Sequence, residues 1–244
     1  MTDLQLDSGV RVEASPVGPV VHPPRPAGTV VLYLHGDRYL SGAPESALGL
    51  AGDLAARTGA AVVCCRYRPA FPAALVDVHA GYRYSQAAGP VVVAGERLGA
   101  GLAAALLARL RDAGDPLPRC AVLVSALLDL TMQAPSLLLN AAADPAFRVT
   151  ELRRRVLRYA AGRELTDPRL SPLHANLHGL PPVQLLVAGN DLLLDDSLAF
   201  AARAARSGVT VDLRVRPDAA SLRAEVGTAM AAFFGEVDAM RVRP

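Results

Sequence analysis

Short apolar segments of β type alternate with segments of helical periodicity along almost the whole chain. Gly- and Pro-containing turns separate them, and most of the β-type segments are continuously apolar, as buried parallel strands are. The predicted strands cover residues 29–34, 60–65, 90–94, 119–125, 183–188 and 209–215, and the predicted helices cover 45–58, 73–87, 98–113, 193–207 and 220–238. This alternation predicts an α/β fold with a doubly wound, mostly parallel sheet.

Two segments interrupt the alternation. Residues 5–22 are predicted to form an antiparallel hairpin at the sheet edge, and residues 132–170 form an insertion with one predicted helix at about 150–161. Insertions at the carboxyl edge of such a sheet lie where ligands bind, so we expect a short helical lid. With 244 residues and 52% apolar composition, the chain is predicted to form one domain, 1–244.

Composition and charge disfavour several classes of protein. The formal net charge is +2, with acidic and basic residues mixed, so a nucleic-acid partner is not expected. The three cysteines do not suggest a disulfide framework, and neither a signal-like N-terminus nor a long apolar run is present, so we predict a cytoplasmic protein without membrane association. Histidine and carboxylate spacings, such as Asp77 with His79, do not suggest a metal site, and we expect no cofactor.

The segment from Val91 to Gly101 has the frame of a nucleophile elbow, a strand followed by a sharp turn and a helix. Gly95 and Gly99 stand where such a turn has no room for a Cβ atom. The central position, which carries a serine in the G-x-S-x-G motif, is Arg97. A guanidinium cannot be deprotonated in a protein, so acyl-enzyme chemistry at this residue is excluded.

Four segments together resemble the bacterial hormone-sensitive-lipase (HGGG) family of α/β hydrolases. The resemblance covers roughly residues 29–240 and implies an α/β-hydrolase fold. Its segments are residues 30–39 with the sequence His35-Gly36-Asp37-Arg38, residues 67–75 with Tyr67-Arg68 and Phe71-Pro72-Ala73-Ala74-Leu75, residues 171–182, and residues 187–196 with Asn190-Asp191.

Carried over residue by residue, the resemblance implies a member that lacks the serine and histidine of the triad. The family nucleophile falls on Arg97 and the family acid on Asp191, while the family histidine falls near Ser221. No histidine follows His178, so a serine would lack its usual general base. In the oxyanion loop, Asp37 and Arg38 replace two family glycines, and a carboxylate there opposes the charge that the hole stabilises.

The replacements are charged, and the predicted topology brings them to the ends of neighbouring strands: Asp37, Arg38, Glu96, Arg97 and Asp191. In one interpretation, Arg97 forms an ion pair with Asp191 or Asp37 that fills a vestigial site. In the other, Arg97 and Arg38 offer donors to an anionic or carbonyl-bearing small molecule, and a carboxylate acts as acid or base. Five further residues are predicted to bind substrate or line the pocket: Gly36, Tyr39, Leu98, Met132 and Ser221.

These observations lead to a functional hypothesis with two alternatives. The hypothesis is a non-hydrolytic homologue, a pseudohydrolase that acts as a non-covalent cyclase, lyase or isomerase on a specialised-metabolite intermediate. The first alternative is a non-enzymatic small-molecule-binding or partner protein. The second is an esterase with an unrecognised nucleophile, for which Ser41, Ser125 and Ser221 are the candidates. The resemblance also implies a homodimer formed through residues of about 209–240.

Overall fold

A computed structural model describes residues 4–5, 9–36, 42–143 and 148–242. These residues form strands that we number in chain order. The strands are β1 (Leu4–Gln5), β2 (Arg11–Ser15), β3 (Gly18–His22), β4 (Val30–Leu34), β5 (Ala61–Cys64), β6 (Val91–Glu96), β7 (Ala121–Val124), β8 (Val183–Ala188) and β9 (Val211–Arg216).

The strands form one sheet in the order β1-β2-β3-β5-β4-β6-β7-β8-β9. The hairpin predicted for 5–22 is confirmed: β1, β2 and β3 pair in antiparallel fashion, and β3 joins β5, also antiparallel. From β5 to β9 every pair is parallel. The doubly wound, mostly parallel sheet is therefore confirmed.

Helices connect the parallel strands and cover both faces of the sheet. Their bounds are α1 (Leu48–Thr58), α2 (Ala73–Ala88), α3 (Leu98–Ala113), α4 (Ser136–Leu139), α5 (Val149–Ala160), α6 (Leu194–Arg206) and α7 (Ala219–Val242). The insertion between β7 and β8 contains α4 and α5. The sequence predicted α5 to within a residue at each end but missed α4, a single turn that is too short to show helical periodicity.

Side chains that alternate along each strand supply two separate cores. In β4, Val31 and Tyr33 pack with α1 and α7, whereas Leu32 and Leu34 pack with α2, α3 and α6. We call these the α1–α7 face and the α3 face. In the part of the chain that the structure describes, no helix is both long and apolar enough to cross a membrane.

Candidate functional site

The turn between β6 and α3 has the predicted elbow geometry. Arg97 stands between Glu96, the last residue of β6, and Leu98, the first of α3, with φ 50° and ψ −115°. A positive φ is strained for a residue other than glycine and persists only where neighbouring contacts hold it. Here the Arg97 N–H donates to the carbonyl of Val124 at 3.0 Å, and the Arg97 carbonyl accepts from the N–H of Leu127 at 3.0 Å. Residue 97 is thus fixed at the carboxyl edge of the sheet.

Three glycines surround this turn because its backbone segments approach too closely for a Cβ atom. A Cβ on Gly95 would lie 2.6 Å from the backbone carbonyl carbon of Gly99. A Cβ on Gly99 would overlap the carbonyl oxygen of Leu34, and one on Gly36 would overlap that of Glu96. The elbow therefore keeps its backbone shape although its central side chain is a guanidinium.

Next to the elbow, a serine contacts the carboxylate that corresponds to the family acid. Ser125 directly follows β7 and is buried, with φ 44°. Its N–H donates to the carbonyl of Leu186 at 2.8 Å, and its hydroxyl donates to Oδ2 of Asp191 at 2.6 Å. Because β7 and β8 are neighbours in the sheet, their carboxyl ends bring this hydroxyl and this carboxylate together.

The Asp191 loop is held from two sides. Oδ1 of Asp191 accepts the N–H of Leu193 at 2.9 Å. The side-chain amide of Asn140, which follows α4, donates to the carbonyl of Asp191 at 2.8 Å. Hydrogen bonds of this kind fix the direction in which a carboxylate points, so Asp191 is positioned toward Ser125 before any ligand arrives.

These side chains line one cavity of about 630 Å³. At the carboxyl edge of the sheet its lining includes Glu96, Arg97, Ser125 and Asp191. The structure thus brings together three of the charged residues predicted from the sequence and adds a hydroxyl. A cation, two carboxylates and a serine in one cavity suit the binding and polarisation of a carbonyl group.

Comparison with known proteins identifies the scaffold. Residues 31–220 match the family model described as the alpha/beta hydrolase fold. The chain belongs to the α/β-hydrolase fold family. Among its curated relatives is an acetyl-hydrolase of Streptomyces hygroscopicus, 39% identical over 206 residues, which cover 81% of this chain and 69% of the relative. An esterase of Acinetobacter venetianus is 30% identical over 198 residues, or 78% of this chain and 65% of that esterase.

Solved structures of other α/β hydrolases superimpose closely on this chain. An esterase/lipase from an uncultured bacterium gives a TM-score of 0.86 at 30% sequence identity, over 96% of this chain and 86% of that one. An esterase from the bacterial hormone-sensitive lipase family gives a TM-score of 0.82 at 30% identity, over 97% and 82% of the two chains. This α/β hydrolase is therefore similar to the hormone-sensitive-lipase group, as its motifs indicate.

These comparisons correct the functional hypothesis drawn from the sequence. The interpretation as a pseudoenzyme with cyclase, lyase or isomerase chemistry is wrong, because the similar proteins are named acetyl-hydrolase and esterase. The findings favour instead the second alternative, an esterase with an unrecognised nucleophile, for which Ser125 was one of three candidates. In this α/β hydrolase, Ser125 lies beside Asp191 in the same cavity.

Other predicted site residues lie elsewhere. Asp37, Arg38 and Tyr39, as well as the candidate nucleophile Ser41, fall outside the described residues. Leu98 and Met132 are buried in the core of the α3 face, and neither belongs to the described lining of the cavity. Met132 lies at a turn with φ 59°, a backbone conformation that its position in the sequence does not predict.

Ser221 also lies apart from the reacting groups. It occupies the first turn of α7, where its N–H donates to Oδ1 of Asp218 at 2.8 Å. That bond caps the helix, because the first N–H groups of a helix have no acceptor within it. Its neighbours Ala219 and Leu222 contribute to the cavity wall instead.

A buried carboxylate that was not predicted from the sequence, Asp196, also supports the site. Its Oδ2 accepts the N–H of Leu128 at 2.8 Å and the N–H of Asp129 at 3.0 Å, so it anchors the segment that follows Ser125. Burial raises the pKa of Asp196 to about 7. Within the described ranges, no group of three or more His, Cys, Asp or Glu side chains is placed to hold a metal ion.

Proposed function

We propose that this chain hydrolyses a carboxylic ester in the cavity at the carboxyl edge of the sheet. The observation that carries the proposal is the 2.6 Å hydrogen bond from the Ser125 hydroxyl to Asp191, in a cavity that Arg97 also lines. We propose that hydrolysis takes place without the elbow serine and without the histidine of a complete triad. Arg97 occupies the elbow, and no histidine follows His178. The carbonyl-bearing ligand expected from the sequence is then the ester itself.

The reaction uses Ser125 as nucleophile and Asp191 as base. The Ser125 oxygen bonds to the ester carbonyl carbon while its proton passes to Asp191, and the alcohol leaves with that proton. Water then attacks the acyl-serine and gives one proton to Asp191, which returns it to Ser125 as the carboxylic acid departs. Arg97 stabilises the negative charge that develops on the carbonyl oxygen in both steps.

Two backbone positions complete this proposal. Gly36 and Leu98 flank the elbow, and Leu98 is the first residue of α3, so its N–H is among those without an intrahelical acceptor. In this proposal the backbone N–H groups of Gly36 and Leu98, and not their side chains, donate hydrogen bonds to the carbonyl oxygen of the ester. Aspartate is a weaker base than histidine, so we expect slower turnover than in a hydrolase with a complete triad. The expected acceleration over the uncatalysed reaction is roughly 10³–10⁴-fold, which is what hydrolases retain after the loss of a triad residue.

The test measures hydrolysis of p-nitrophenyl acetate and butyrate by the whole chain and by three variants. Ser125→Ala and Asp191→Asn are each expected to lower kcat about tenfold or more, because each removes one half of the reacting pair. Ser221→Ala is the matched control, since this serine is near the cavity but outside its described lining. Mass spectrometry of the quenched reaction should find the acyl group on the peptide that contains Ser125.

Two outcomes would contradict the proposal. Hydrolysis no faster than the buffer rate, with esters still bound, would favour the binding-protein alternative. Equal rates in the wild type and in Ser125→Ala would show that another group attacks the ester.

A further inference from the structure

Three arginines belong to the described lining of the cavity that holds the reacting groups: Arg57, Arg97 and Arg223. Arg57, on α1, is already engaged, because its Nε donates to Oδ1 of Asp53 at 2.7 Å. Arg97 lies at the elbow, where the proposed reaction uses it for the ester carbonyl. Arg223, in the second turn of α7, differs from both in its position and its surroundings.

The guanidinium of Arg223 forms no hydrogen bond or ion pair with another residue in the part of the chain that the structure describes. Other arginines near this end of the sheet are paired. Arg216, the last residue of β9, contacts Glu225 at 2.6 Å through its Nε, and Arg66 pairs with Glu45 in the turn before α1. Both carboxylates are therefore engaged by other arginines, and Arg223 keeps its N–H donors available to a ligand.

The packing of α7 against α1 sets the direction of the Arg223 side chain. Gly227, one turn farther along α7, faces α1, since a Cβ there would stand 2.2 Å from Oδ2 of Asp53. Residues four apart share one side of a helix, so Arg223 is on the same side. Its Cα–Cβ bond tilts toward the start of α7, which lies at the carboxyl edge because α7 follows β9. The side chain is thus directed toward the edge where Ser125 and Asp191 meet.

Polar side chains stand among the apolar ones in the wall of this cavity. Ser46 and Glu96 line it beside Leu50 and Leu222. A long alkyl chain would cover these polar groups without giving them hydrogen-bond partners, which costs free energy. A small molecule with polar groups of its own avoids that cost, and the volume of about 630 Å³ accommodates one.

A carboxylate is the ligand group that fits an unpaired guanidinium. The planar fork of arginine donates two parallel N–H···O bonds to one carboxylate, and such charge-assisted bonds are stronger than bonds between neutral groups. The cavity therefore offers two anchoring points for one ligand. Arg97 is suited to the ester carbonyl, and Arg223 is suited to a separate carboxylate.

We propose that the substrate is a small ester that carries a carboxylate, and that Arg223 binds this carboxylate at the start of α7. This inference rests on the proposed ester hydrolysis, because it names the substrate class of the same site. Binding of the carboxylate orients the ester so that its carbonyl lies at Ser125 and Arg97. Arg223 is thus a specificity-determining residue that takes no part in proton or acyl transfer.

The experiment compares two aryl acetates that differ in charge, para-acetoxybenzoate and para-acetoxybenzamide. It measures the ratio of kcat/KM for the benzoate to kcat/KM for the benzamide, after subtraction of the buffer rate. Because Arg223 is exposed and water competes for its donors, Arg223→Gln should lower this ratio about fivefold. Arg223→Lys should keep part of the preference, because the charge remains while the fork is lost. In the wild type, the ratio should also fall as the salt concentration rises.

Arg109→Gln is the matched control, because it removes the same charge from an exposed arginine of α3, on the opposite face of the sheet. Arg109 is outside the described lining of the cavity, so this variant should leave the ratio unchanged. An unchanged ratio in Arg223→Gln overturns the inference, and so does an equal fall in the two variants. Continued hydrolysis of the neutral benzamide in either case leaves the proposed function standing.

A binding measurement keeps this inference separate from the proposed function. The probes are the two corresponding ketones, in which a methylene replaces the bridging ester oxygen so that they cannot be cleaved, and calorimetry measures their Kd. Tighter binding of the benzoate ketone, lost in Arg223→Gln and kept in Arg109→Gln, supports the carboxylate site even if no ester is hydrolysed. Equal binding of the two ketones to the wild type overturns it, as does failure of both to bind.

Discussion

The two faces of the sheet are covered by helices that pack in opposite ways. On the α3 face, α3 buries twelve of its sixteen residues, all of them Gly, Ala or Leu, so it lies close against the strands and the segment after Ser125. On the α1–α7 face, the two helices carry Leu50, Asp53, Arg57 and Val226 toward each other, and a cavity remains between them. Small side chains allow dense packing, whereas larger and charged ones hold helices apart.

This difference shows how one scaffold separates rigidity from ligand space. The α3 face fixes the elbow and the Ser125 segment, which need precise placement to react. The α1–α7 face offers room in which a ligand can lie. The comparison predicts that substitutions on the α3 face cost stability, while those along the cavity between α1 and α7 mainly change what binds.

The largest effect is expected from Gly99→Ala in the first turn of α3. A Cβ at this position would overlap the carbonyl oxygens of Leu34 and His35, and the backbone of α3 cannot move away from the end of β4 easily. We expect the free energy of unfolding to fall by more than about 4 kcal/mol, measured by urea denaturation. A loss below about 1 kcal/mol would show that the elbow is more adaptable than the packing indicates.

The next effect is a pH dependence that originates on the α3 face. Because burial raises the pKa of Asp196 to about 7, the folded chain holds a proton between about pH 4 and pH 7 that the unfolded chain has released. This contribution to stability is therefore complete below about pH 4 and is lost as the pH rises through 7. From pH 5 to pH 8 the free energy of unfolding should fall by about 3 kcal/mol.

Asp196→Asn provides the check on that pH dependence. The amide does not ionise in this range, so the fall in the free energy of unfolding should disappear from the same series of urea titrations. If the fall persists in the variant, another group causes it.

How much of this could be predicted from the sequence depends on how local each feature is. Most of the parallel strands are apolar segments such as Ala121–Val124, and the elbow is marked by its own glycines, so both follow from neighbouring residues. Glu96, Arg97 and Asp191 were predicted to meet because parallel strands end at the same edge. Ser125 could be named only as one of three serines, since its contact with Asp191 requires β7 to lie beside β8.

The cavity between α1 and α7 could not be predicted at all. It depends on the distance between α1 and α7, which are separated by most of the chain and meet only in the folded molecule. From the sequence, the 132–170 insertion was the expected lid over the pocket, and Met132 was predicted to line the pocket wall. In the structure Met132 packs into the α3-face core.

A smaller effect compares the same truncation on the two faces. Leu107 in α3 is completely buried, whereas Leu222 in α7 lines the cavity between α1 and α7. Leu107→Ala leaves a closed void and should cost about 4 kcal/mol, while Leu222→Ala only widens a space that already exists and should cost about 2 kcal/mol. Thermal and urea unfolding of both variants measure the difference of about 2 kcal/mol. Equal losses would indicate that the cavity closes around Leu222 in solution.

The smallest expected effect concerns two glycines of α7. Gly235 is exposed and has open space where a Cβ would stand, so Gly235→Ala should raise the free energy of unfolding by about 1 kcal/mol through helix propensity alone. Gly227→Ala has the same intrinsic gain, but its Cβ would overlap Oδ2 of Asp53 and displace the carboxylate that pairs with Arg57. Because that displacement offsets part of the gain, the second variant should be less stable than the first in parallel urea titrations. An equal gain at both positions would mean that Asp53 moves freely, and its pairing with Arg57 would then not be fixed by the packing of α7 against α1.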